Sequence, residues 1–96
     1  MRLEILHVAD CPGAAVLAER VTALVGRRPG VDVTYRQVDD EAAAVASGMR
    51  GSPTLLVDGV DPFADAGQPP SVSCRLYRGS PGGCPSEDAL RAALGL

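Results

Sequence analysis

The chain opens on an apolar-rich run, residues 2–8 (RLEILHV), which Ala9-Asp10-Cys11-Pro12-Gly13 brings to a stop. A short apolar run bounded by turn residues predicts a buried strand. From Pro12 onward the period changes. Val16, Leu17, Val21, Leu24 and Val25 recur near 3.6-residue spacing, the stripe of an amphipathic helix. Pro12 suits the first helical position, where its missing N–H costs nothing, and this makes Cys11 the N-cap. Gly26 and Arg27-Arg28-Pro29-Gly30 close the helix. Alternation then returns: Val31, Val33, Tyr35 and Gln37 interleave with Asp32, Thr34 and Arg36, which predicts a second strand.

Asp39 and Asp40 precede a short Ala-rich helix, residues 41–47, that stops at Gly48. Residues 49–53 (MRGSP) read as a turn, and Thr54 to Val57 as a third strand ending in a tight Asp58-Gly59 turn. Residues 60–72 hold Pro62, Pro69 and Pro70, so they form a long connection, with Phe63 pinned back against the core. Residues 71–78 (SVSCRLYR) resume strand character, residues 79–86 (GSPGGCPS) are a flexible loop, and Ser86 caps a last helix over 87–94. The order strand–helix–strand–helix–strand–strand–helix predicts a single α/β domain, a mixed sheet with flanking helices. The first two strands should be parallel through a right-handed crossover, and the last two antiparallel.

Composition narrows the function classes. Ninety-six residues leave room for one core, and a 3% aromatic share means that Val, Leu and Ala must build it. A net charge of −3 argues against nucleic-acid or anionic-membrane partners, which want a basic face. No apolar run approaches the roughly 20 residues of a membrane span. Glu4 and His7 interrupt the opening run and no cleavage site follows, so a signal peptide is not expected and the cytoplasm is the expected address. All nine basic residues are Arg, and neither Lys nor Asn occurs, a bias that points to a GC-rich bacterial coding sequence. Cys11, Cys74 and Cys84 are odd in number and lack pair-like spacing, which suits reduced thiols better than a disulfide scaffold. No cofactor is implied, because there is neither a Gly-rich phosphate loop nor a metalloprotease-type His pair.

Two segments together resemble the thioredoxin superfamily, and the element order agrees. Asp10-Cys11-Pro12-Gly13-Ala14 ends the first strand where that family carries Cys-X-X-Cys. Residues 48–59 (GMRGSPTLLVDG) are similar to the segment whose proline has a cis peptide bond beside the active-site sulfur. The resemblance covers about residues 2–59, and the final strand and helix by order alone. It implies that Cys11 is the attacking cysteine and Pro53 the cis-proline. It also implies that Pro12, Ser52, Pro53 and Thr54 shape a substrate groove, with the Ser52 carbonyl or the Thr54 amide open to an extended ligand. The chain departs from the family twice. Ala14 replaces the second motif cysteine, which excludes the dithiol reaction, and Asp10 stands beside Cys11 with no preceding Trp. The Gly-Gly and acidic residues of glutathione-binding glutaredoxins are missing, so glutathione is not implied. Residues 52–78 are also similar to short bacterial thioredoxin-like proteins, some of which are assigned to the alkylmercury lyase family. That family cleaves carbon–mercury bonds with two cysteines and an aspartate, but its motifs do not map onto this chain.

Each candidate residue has a functional and a plainer reading. An N-cap sulfur at Cys11 faces the free N–H groups and positive end of a helix, which favours a nucleophilic thiolate, although Asp10 opposes it. The plainer reading is an inert thiol. Cys84 lies in the Gly-rich loop expected at the Cys11 end of the sheet, so it is either a distant resolving cysteine or an unpartnered loop thiol. Cys74, in phase with Val72 and Leu76, reads as a small core hydrophobe. Were it to turn toward the other thiols, three sulfurs would suit a soft metal such as Cu(I) or Hg(II). His7 stands four residues before Cys11, roughly 13 Å away at strand rise, too far for a base without an unusual bend. Asp39-Asp40-Glu41 reads as a helix start and a solvated face.

Three functions follow. The first is thiol chemistry at Cys11 with a protein or small-molecule thiol or disulfide, resolved by Cys84 or an external thiol. The second is a soft-metal or organomercurial binder of the lyase type, and the third a non-catalytic peptide-binding domain that uses the groove beside Pro53.

Overall fold

A computed structural model describes residues 1–65, 67–75, 77 and 84–96. The elements run β1 (Arg2–His7), α1 (Pro12–Val25), β2 (Asp32–Gln37), α2 (Glu41–Ser47), β3 (Arg50–Ser52), β4 (Thr54–Val57), β5 (Ser71–Cys74) and α3 (Glu87–Leu94). Among the described residues the result is an α/β fold with three helices, a mixed three-stranded sheet and a two-stranded sheet of β3 and β5. β1 is the central strand, parallel to β2 on one side and antiparallel to β4 on the other. Among the described residues no helix is long and apolar enough to cross a membrane.

Strand alternation sends successive β1 side chains to opposite faces, and each face builds a core. Leu3 and Ile5 join Leu17, Val21 and Val25 of α1, Leu55 of β4, and Leu90 and Leu94 of α3, all buried. Leu6 faces the other way and packs with Val38, Ala44 of α2, Met49 and Leu56. Val33 packs partly against the first core, whereas Tyr35, on the edge strand β2, is 54% exposed.

The caps follow the chemistry of the sequence. Ala43 N–H donates to the Asp40 carboxylate at 2.7 Å, and Ala89 N–H donates to Ser86 Oγ at 3.1 Å. Gly48 and Gly95 take the left-handed conformation that closes α2 and α3. Asp58 and Gly59, both at positive φ, make the two-residue turn between Val57 and Val60, which bond each other in both directions.

Three expectations need correction. The first concerns residues 49–53: Arg50–Ser52 is strand β3 rather than turn, because β5 lies alongside to pair with it. The second concerns the last strand, which pairs parallel to β3 and not antiparallel to β4. The third concerns its phase. Ser71 is opposite Arg50 and Cys74 opposite Ser52, three steps against two, and this bulge reverses the alternation of side chains. Val72 still packs inward, but Cys74 is exposed and Arg75 and Tyr77 are buried. Most of the expected loop, residues 79–83, lies outside the described residues, as do Leu76 and Arg78.

The long connection is anchored at both ends. Phe63 packs on the first core, as expected, and stands edge-on to Tyr77 with ring centroids 5.5 Å apart. Asp61 is buried, accepts from Phe63 N–H at 2.9 Å and pairs with Arg75 at 2.6 Å. The Arg75 guanidinium also donates to Thr54 Oγ1 at 3.2 Å and lies 4.6 Å from the Tyr77 ring centre.

Candidate functional site

β1 ends at His7, whose carbonyl accepts from Val38 N–H at 2.7 Å, and the chain turns away through Val8. Val8 N–H donates to Ser52 Oγ at 3.1 Å, and Asp10 adopts a positive φ of 55°, a conformation that Asp tolerates better than most residues. This bend delivers Cys11 in extended conformation to the start of α1, with Pro12 in the first turn. Cys11 is the N-cap, as expected, but its side chain makes no capping hydrogen bond, so the sulfur is free for other work. It is half-buried.

Cys11 lines a groove of about 490 Å³ with His7, Asp10, Pro12, Ala14, Ala15, Ala18 and Tyr35, a volume in the range of small-molecule sites. The groove exists because α1 shows only short side chains there, with Ala14 and Ala18 one helical turn apart. The sheet wall is His7 and Tyr35. His7 is the residue that strand spacing excluded. Extended geometry does not hold across residues 8–10, and the left-handed Asp10 returns Cys11 to the groove that His7 lines.

Ser52, Pro53 and Thr54 do not line this groove. All three are buried, the Ser52–Pro53 bond is cis, and the Ser52 carbonyl accepts from Arg75 N–H at 3.1 Å. The Thr54 hydroxyl donates to the Gly51 carbonyl at 2.6 Å, and Tyr77 O–H donates to the Pro53 carbonyl. The backbone face expected to receive an extended ligand is therefore occupied by β5 and the residues after it. Of the four expected groove residues, Pro12 alone is in the groove.

Cys84 is 1% exposed within the first core, and its thiol donates weakly to the Pro85 carbonyl at 3.5 Å. Burial pushes its pKa up, and the Arg20 guanidinium, which also donates to the Pro85 carbonyl at 2.7 Å, pulls it partly back. Burial likewise holds the Tyr77 phenol well above its ordinary value. Arg75 lowers it, while Asp61, Cys84 and Cys11 raise it further. A raised folded-state pKa means that the native protein holds the proton more tightly than the unfolded chain. The stability from Cys84 is therefore complete below the free thiol value of roughly 8.5 and is lost as pH rises above it. Urea midpoints should fall between pH 8 and pH 10, and fall less in Cys84→Ala; equal slopes would mean that the thiol is not buried. Tyr77 adds to the loss only above roughly pH 10, where free phenols titrate.

Among the described residues no group of three or more His, Cys, Asp or Glu side chains could hold a metal ion. Cys74 is exposed beside Ser52, while Cys84 is enclosed in the core. Sequence spacing gave no sign of the Asp61–Arg75 pair or of Tyr77 behind Pro53, because both depend on the bulge in β5. No protein-family model, curated protein or solved structure matches the chain.

Proposed function

We propose that the chain is a thioredoxin-like thiol protein in which Cys11 exchanges with small-molecule or solvent-exposed disulfides. The observation that carries this reading is a half-buried sulfur at the N-cap of a fourteen-residue helix, without a capping bond and on the wall of a groove of ligand size. The thiolate is the form of the sulfur that attacks. Attack on R–S–S–R′ forms Cys11–S–S–R and releases R′–SH. A second thiol, R″–SH, then returns Cys11–SH and R–S–S–R″. The burial of Cys84 favours an external thiol in that second step.

Peptide-resolved alkylation of the reduced native protein with iodoacetamide tests the reading. Cys11 should be modified fast and Cys84 only under denaturing conditions, with exposed Cys74 as an internal reference for an ordinary thiol. Incubation with a small disulfide should yield a mixed disulfide on Cys11, which Cys11→Ser abolishes. A Cys11 that alkylates no faster than Cys74 and forms no mixed disulfide would defeat the proposal. A linked 11–84 peptide pair would instead assign resolution to Cys84.

A further inference from the structure

His7 is the chain's sole histidine, and its position is more specific than that of a covered core residue. Its Nδ1 lies 2.9 Å from the Val8 carbonyl oxygen. A carbonyl only accepts, so the bond requires the proton on Nδ1, and in the neutral ring this leaves Nε2 as a bare acceptor. The ring is half-buried and lines the groove that Cys11 also lines. The other titratable groups lining that groove are Asp10 and Cys11 from the bend and Tyr35 from β2, while α1 contributes only Pro12 and the three alanines.

We infer that His7 is the proton acceptor for Cys11. This rests on the thiol reading above and deepens it. His7 Nε2 takes the Cys11 thiol proton, directly or through one water in the groove, and the Cys11 sulfur attacks the disulfide. The S–S bond breaks, its electron pair leaves on the R′ sulfur, and that thiolate takes the proton back from Nε2–H. Cys11–SH and R–S–S–R′ become Cys11–S–S–R and R′–SH, with His7 unchanged, and the disulfide is the oxidant.

The test uses 2,2′-dithiodipyridine, which is uncharged at neutral pH, in a Cys74→Ser background so that the exposed thiol does not contribute. His7→Asn keeps an amide donor for the Val8 carbonyl and removes the acceptor at Nε2. The rate at pH 7 should drop about tenfold, less than the usual span for a general base, because an unassisted thiol is already a few per cent ionised. One limb of the pH–rate profile should vanish, and added imidazole should restore rate to His7→Ala. An unchanged rate and profile in His7→Asn, with Cys11→Ser inert, overturns the role of His7 and leaves the thiol reading in place. Undiminished reaction in Cys11→Ser overturns both. Should the His7 variants fail to fold, the imidazole Cε1–H resonance provides the readout. Its titration should differ between the native chain and Cys11→Ser, and coincident curves overturn the inference.

Discussion

Asp61→Asn is expected to destabilise the protein by about 3–5 kcal/mol, a large share of the roughly 5–15 kcal/mol by which domains are typically stable. The Arg75 side chain is 3% exposed and that of Asp61 is fully buried, with a charged contact of 2.6 Å between them. Removing the carboxylate strands a guanidinium in the core beside Thr54 and Tyr77. Arg50, 3.8 Å from the same carboxylate and partly exposed, can turn to solvent, but Arg75 cannot. Replacing both partners should be far milder: Asp61→Leu with Arg75→Met leaves no buried charge, and such swaps are often neutral or stabilising. A double-mutant cycle by urea denaturation measures the difference. An Asn variant within about 1 kcal/mol of the native chain would mean that water reaches Arg75. The consequence extends to the site region, because the pair holds the residues whose Arg75 N–H and Tyr77 O–H bind the carbonyls of Ser52 and Pro53.

Gly51→Ala should cost about 3 kcal/mol or more, through a different mechanism. Gly51 has φ 106°, a conformation nearly closed to residues with a side chain. An added Cβ would lie 2.8 Å from Arg75 Cβ and 3.2 Å from both Arg75 Cα and the Ser73 carbonyl oxygen. Two of those three atoms are backbone, so relief requires β3 and β5 to separate. Hydrogen exchange at the Arg75 amide, bonded to Ser52 in the native fold, should accelerate along with the loss of stability. Gly59→Ala is the control. It also has positive φ, at 84°, but nothing lies within 4 Å, so it should cost only about 1–2 kcal/mol. Equal effects at the two positions would show that the close packing of β3 on β5 is not what Gly51 serves.

Local chemistry was legible from the sequence. The Cys11 N-cap with Pro12 behind it, the Asp40 and Ser86 caps and the Asp58-Gly59 turn each depend on a few neighbouring residues, and each forms where the sequence places it. Leu3 and Ile5 on one face and Leu17, Val21 and Val25 on the helix were legible too, because burial follows periods of 2 and 3.6. Period reasoning failed where the backbone left its period. The bulge in β5 sent Cys74 outward and brought Arg75 and Tyr77 in, and no spacing in residues 71–78 announces an extra residue opposite a partner strand. The left-handed Asp10 likewise brought Cys11 to the groove of His7, where strand rise had set them roughly 13 Å apart. The sequence by itself determined the helices and their caps, since these are settled within one or two turns of chain. Only the tertiary structure decided what surrounds the thiols. A strand's partner and register are chosen by contacts far along the chain, and one irregular residue reverses every side chain after it.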